Sequence, residues 1–81
     1  MAGIGGKARY REPLGILSPR QQEIVRLRVQ GLSCRQIGEQ LGISAKSVNT
    51  RLDIVKLKIM VPSRAEALAW AVANGILEAS G

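Results

Sequence analysis

Residues 33–59 read SCRQIGEQLGISAKSVNTRLDIVKLKI, and this stretch decides the fold. In Ser33-Cys34-Arg35-Gln36 a serine hydroxyl can accept a backbone N–H three residues on, and a glutamine can answer it, which is a capping box. Ile37 and Leu41 follow four apart, and Gly42 is placed as terminator. That predicts a short helix over about 34–41. Ser44 caps a second helix, whose Val48, Leu52, Val55 and Ile59 recur at steps of four, three and four. They form one face of a helical period and predict a longer helix over about 45–60. Pro62 bars its continuation, because proline disfavours helical geometry just upstream. The connection is only Gly42-Ile43-Ser44. Gly42 can take the positive φ of a tight turn, and Ile43 is placed to plug the gap between the helices.

The same punctuation extends outward. Ser18-Pro19-Arg20-Gln21 is a second capping box with proline at the first helical position. Ile24, Val25, Leu27 and Val29 follow, and Gly31 ends a helix over about 19–30. Ser63-Arg64-Ala65-Glu66 opens a last helix with Ala67, Leu68, Ala71 and Val72 on its inner face. Asn74-Gly75 closes it, and Ile76 and Leu77 are placed to fold back on the core. No segment alternates with a period of two. The fold class is therefore all-α, with four helices. Met1 to Gly15 holds four glycines, one proline and the basic Lys7, Arg9 and Arg11, with no apolar period. It reads as a flexible basic arm over 1–16, ahead of one domain over 17–81.

Composition narrows the function. Eighty-one residues exclude any two-domain enzyme. Tyr10 and Trp70 are the only aromatics, so aliphatics must fill the core. Twelve Lys and Arg against six Asp and Glu give a net charge of +6, which favours a polyanionic partner, nucleic acid before an anionic membrane. With no His and a single Cys34, neither an internal disulfide nor a zinc ligand set is available. Cys34 reads as a reduced thiol, consistent with a cytoplasmic protein. The usual general base is missing, and Glu23, Glu39 and Asp53 fall on separate helix faces. Neither catalysis nor a cofactor or metal is expected. No apolar run reaches membrane-spanning length, and the long helix lacks the aromatic anchors of an interfacial one.

A short helix, a tight glycine-bearing turn and a longer helix form the helix-turn-helix pattern, which ordinary helical hairpins share. With Val48, Leu52, Val55 and Ile59 inward, the longer helix turns Lys46, Asn49, Thr50 and Asp53 outward. Asn reads adenine through paired hydrogen bonds, and Thr contacts a thymine methyl or a base edge. Phosphate donors would be Arg35, Ser44, Ser47, Arg51, Lys56 and Lys58, with the first-turn N–H groups of both helices. A merely solvated polar face would look similar.

The stretch Leu17 to Leu68 resembles the DNA-binding domain of LuxR/GerE-type transcription regulators. The resemblance is carried by Leu17-Ser18-Pro19-Arg20, Gly31-Leu32-Ser33, Ile37 to Leu41 with Gly42-Ile43-Ser44, Ser47-Val48, Lys58-Ile59 and Ser63-Arg64-Ala65-Glu66-Ala67. It implies a four-helix domain whose third helix enters the major groove of duplex DNA. It also implies homodimers, on DNA if not in solution, that pair through the fourth helix near Ala69, Trp70 and Ala73. Trp70 could equally be a core residue or a lid over the C-terminus. By position, Asn49, Thr50 and Asp53 fall on the family's base-facing sites, while Arg35, Ser47, Arg51 and Lys58 match positions that touch phosphate.

Four residues depart from the family pattern. Gln21 stands for a usual Glu and can still close its capping box. Arg51 stands for a frequent His and adds charge. Met60 stands for a common Gly, which predicts a longer third helix. Asp53 would repel phosphates unless it accepts from cytosine N4; among its own helix neighbours Lys56, three residues on, is the better partner. Asp53 and the Trp70 region motivate a second reading, an adaptor or anti-regulator that binds another regulator or RNA polymerase.

Overall fold

The computed structural model describes residues 13–78. Among them four α-helices follow a short 3-10 turn at Pro13–Ile16. They are α1 (Pro19–Val29), α2 (Cys34–Leu41), α3 (Ala45–Lys58) and α4 (Arg64–Ala73). Of the arm expected over 1–16, residues 1–12 lie outside the described residues, while 13–16 form the 3-10 turn instead. The folded domain includes residues ahead of Leu17, because Leu14 is 4% exposed and belongs to the core. Gln22 on α1 secures this turn, its Nε2 donating to the carbonyls of Leu14 (2.9 Å) and Leu17 (3.1 Å).

Serine starts every helix. Ser18, Ser33, Ser44 and Ser63 each accept an N–H from three residues on. At Ser18 and Ser33 the box closes, with the backbone N–H donating to Gln21 Oε1 at 2.9 Å and Gln36 Oε1 at 2.8 Å. Each such cap is worth about 1 kcal/mol. The helix ends are equally uniform. In all four, a residue of positive φ follows the last turn, and the next N–H reaches back five residues to a carbonyl: Leu32 to Leu27, Ile43 to Gly38, Val61 to Lys56 and Ile76 to Ala71. This closure satisfies carbonyls that would otherwise lack partners.

Three of these positive-φ positions are Gly31, Gly42 and Gly75; the fourth is Met60, at φ 62°. Met60 therefore does not lengthen α3, which ends at Lys58. The closing bonds hold a left-handed residue there even though a Cβ opposes it. Met60 is 88% exposed, so its side chain offers little packing in return. Met60→Gly is expected to stabilise the domain by up to about 1 kcal/mol, seen as a higher thermal midpoint.

Ile24, Val25 and Leu27 of α1, Ile37 of α2, Val48, Leu52 and Val55 of α3, Ala71 of α4, and Leu14, Leu17 and Ile76 form one core. Val29, Leu41, Ile43 and Leu68 pack partly against it. Two expected core residues point outward: Val72 is 49% and Leu77 is 40% exposed. Ala67 and Ala71 are the buried residues of α4, as expected, and of the pair after the helix Ile76 alone folds fully inward, at 0% exposure. No helix among the described residues is long and apolar enough to cross a membrane.

Candidate nucleic-acid interface

The α2–turn–α3 unit is built around a close approach. A Cβ at Gly38 would lie 2.5 Å from the Ile43 carbonyl oxygen, so only glycine lets the turn pack onto α2. The Ile43 N–H in turn donates to the Gly38 carbonyl at 2.9 Å. The turn fixes how α3 leaves α2, and Val48, Leu52 and Val55 fix its rotation by burying one face.

The face opposite that seam carries Lys46, Thr50, Asp53 and Leu57, all exposed, at steps of four, three and four. Exposed Arg51 and half-buried Ser47 flank it on one side. Lys46, Ser47, Thr50, Arg51 and Ile54 border an open depression of about 280 Å³. Among the described residues, neither Lys46 nor Arg51 forms an ion pair. Both charges are available to an outside anion.

The remaining candidates divide. Ser44 and Ser47 cluster at the start of α3, where Ser44 Oγ accepts from the Ser47 N–H (3.0 Å) and donates to Ser47 Oγ (3.1 Å). Arg35 stands near the start of α2 in an open pair with Glu39 at 3.5 Å. Such a solvated pair is worth little and yields readily to a phosphate. Lys56 is half-buried on the other flank of α3. Lys58 is drawn elsewhere: its Nζ donates to the Ile16 carbonyl (3.2 Å) and to Gln21 Oε1 (3.1 Å). It ties the end of α3 to the 3-10 turn and the first turn of α1.

Asn49 departs most from the sequence expectation. It is half-buried, and its Nδ2 donates to the Ala45 carbonyl at 2.9 Å. Its Oδ1 accepts from Arg64 Nη1 at 2.7 Å, with the Cys34 thiol 3.6 Å away. Both ends of the amide are engaged inside the domain, so Asn49 does not stand on the open face. Asp53 pairs neither with Lys56 nor with Arg51. Its Oδ1 accepts from Arg64 Nε at 3.1 Å and Nη2 at 3.0 Å. Arg64 lies in the first turn of α4, beside a cavity of about 240 Å³ whose walls include Cys34, Leu52, Val55 and Leu68.

On α4, Ala69 and Ala73 are exposed together with Val72. Trp70 is half-buried and packs against the core, so one side of its ring serves the interior.

The sequence profile described as "Bacterial regulatory proteins, luxR family" matches residues 15–71, most of the chain. The chain belongs to this LuxR family. Two relatives carry the same reading. The transcriptional regulatory protein DegU of Brevibacillus brevis is 39% identical over 66 residues, 82% of this chain and 28% of that protein. The transcriptional activator protein ExaE of Pseudomonas putida is 37% identical over 73 residues, 90% of this chain and 32% of that protein. The chain thus spans about a third or less of these two relatives. No solved structure gives a significant match.

Within this LuxR-family domain, sequence reasoning missed Arg64 as a contributor to the α3 surface. Its partners lie 11 and 15 residues away across the α3–α4 turn, beyond any helical spacing. Gly38 did carry a signal: a glycine inside a helix costs about 1 kcal/mol against alanine and calls for a packing reason.

Proposed function

We propose that this LuxR-family domain binds duplex DNA and regulates transcription, with α3 in the major groove. The observation that carries the reading is the outward face of α3. Lys46 and Thr50 stand opposite the buried Val48–Leu52–Val55 seam, with Ser47 and the exposed Arg51 alongside. Thr50 and Asp53 face the bases; Lys46 reaches a base edge or a phosphate. Arg51, Arg35, Ser44, Ser47 and the free N–H groups at the start of α3 hold the backbone on either side. Lys56 adds charge on the far flank. Asn49 supports this surface from within.

The exposed Ala69, Val72 and Ala73 support pairing of two copies through α4, on half-sites about one helical turn (~34 Å) apart. Small side chains permit close helix approach there. Ala73→Glu is expected to weaken binding to a two-half-site duplex by about tenfold while leaving single half-site binding unchanged, because it removes only the gain from linked binding. Fluorescence anisotropy on the two duplexes measures this.

Selection from a random duplex library tests the whole reading. Enrichment of a paired motif, with affinity falling steeply as salt rises, is the expected result. The adaptor reading draws on a different observation: Leu57 is 71% and Met60 is 88% exposed near the end of α3, an apolar surface that suits a protein partner. No enriched sequence, together with a stable complex with RNA polymerase or another regulator, would favour it.

A further inference from the structure

We propose that Arg64 is a positioning residue that sets base preference through Asp53, aiming one carboxylate oxygen at the exocyclic amino group of a cytosine. This rests on the DNA-binding reading above. Arg64 Nε and Nη2 both donate to the same oxygen, Asp53 Oδ1, at 3.1 and 3.0 Å. A fork-to-fork pair would have used both oxygens. Here the other edge of the guanidinium is occupied by Asn49: Nη1 donates to its Oδ1 at 2.7 Å and Nη2 to its backbone carbonyl at 3.0 Å. The guanidinium is pinned at two residues one turn apart. Asp53 Oδ2 accepts no hydrogen bond among the described residues, and the Asp53 side chain is 53% exposed.

The chemistry of the base edges selects the target. An ionised carboxylate only accepts. In the major groove guanine and thymine present acceptors to it, and adenine places its N7 acceptor beside its amino group. Cytosine presents the N4 amino donor alone. The guanidinium also offsets the carboxylate charge, which lowers the repulsion from the phosphates lining the groove. The same contacts compete with adenine reading by Asn49, since its oxygen is held by Arg64 and its amide nitrogen donates to the Ala45 carbonyl.

The test is site selection from random duplexes by the full chain, by Asp53→Asn and by Arg64→Lys, each checked for cooperative melting. The unsubstituted chain is expected to select cytosine in one column of the half-site. Asp53→Asn should lose roughly tenfold discrimination in that column and leave the others intact. Arg64→Lys keeps the charge but lacks the planar fork, and should blunt the same column. A purely structural arginine would instead weaken all sequences alike. If Arg64→Lys does not fold, proton exchange at Arg64 Nε decides in the unsubstituted chain: protection that persists on a cytosine-bearing site supports the proposal, and its loss there overturns it. A selected motif without an Asp53-dependent cytosine, or an Arg64→Lys motif identical to the parent's, overturns this inference alone. Absence of any sequence-dependent binding overturns it together with the DNA-binding reading.

Discussion

Gly38→Ala is expected to destabilise the domain by about 2 kcal/mol or more, lowering its thermal midpoint by roughly 10 °C. Two terms compete. Alanine in a helix interior returns about 1 kcal/mol of intrinsic propensity. Against that, the new methyl carbon would sit 2.5 Å from the Ile43 carbonyl oxygen, 3.2 Å from the Ser44 carbonyl carbon and 3.3 Å from the Ala45 nitrogen. All three are backbone atoms and cannot swing aside, so α2 and α3 must separate. The separation also strains the Ile43-to-Gly38 hydrogen bond and moves α3 relative to its seam. Gly42→Ala provides the control: no atom lies within 4 Å of its added Cβ, and only the left-handed φ of 76° is penalised. Its cost is about 1 kcal/mol. Thermal melts of the two variants side by side measure the difference. Equal melting points would mean that the close approach contributes nothing beyond backbone conformation.

The second large effect concerns charge. Lys46→Ala combined with Arg51→Ala is expected to weaken DNA binding by about a hundredfold, if each supplies one charge-assisted contact of about 1.5 kcal/mol. Two lost contacts also flatten the salt dependence. The slope of log affinity against log salt should become less steep by about 1.8, so the loss between 50 and 200 mM salt shrinks by about tenfold. Lys58→Ala offers the contrast. Its amine already serves Ile16 and Gln21, so its removal should lower the melting point more than the salt slope. Anisotropy titrations across salt concentrations separate the two classes. An unchanged slope in the double variant would remove Lys46 and Arg51 from the phosphate contacts.

The helix boundaries were legible because their causes are local. A serine and the residue three places on define each start, and glycine marks three of the four ends. The buried seam of α3 followed from its period. Residues governed by distant partners were not legible. Leu14 has no periodic neighbours, and its burial depends on the turn that Gln22 holds in place. Asn49 lies at the margin of the outward face on a helical projection. Arg64, which turns it inward, comes from the next helix. Asp53 found its partner on α4 for the same reason. Met60 shows the limit from another side: residue type suggested that the helix would continue, yet the closing bonds of Lys56 and Leu57 impose the left-handed geometry whatever the side chain.

The serine starts and reach-back closures have a kinetic consequence. When each helix carries its own limits within a few residues, little of the search for structure depends on distant meetings. Chains dominated by near-neighbour contacts fold in microseconds to milliseconds. Each rod can flicker into shape before it docks, leaving the aliphatic interior to choose among segments that are already half made.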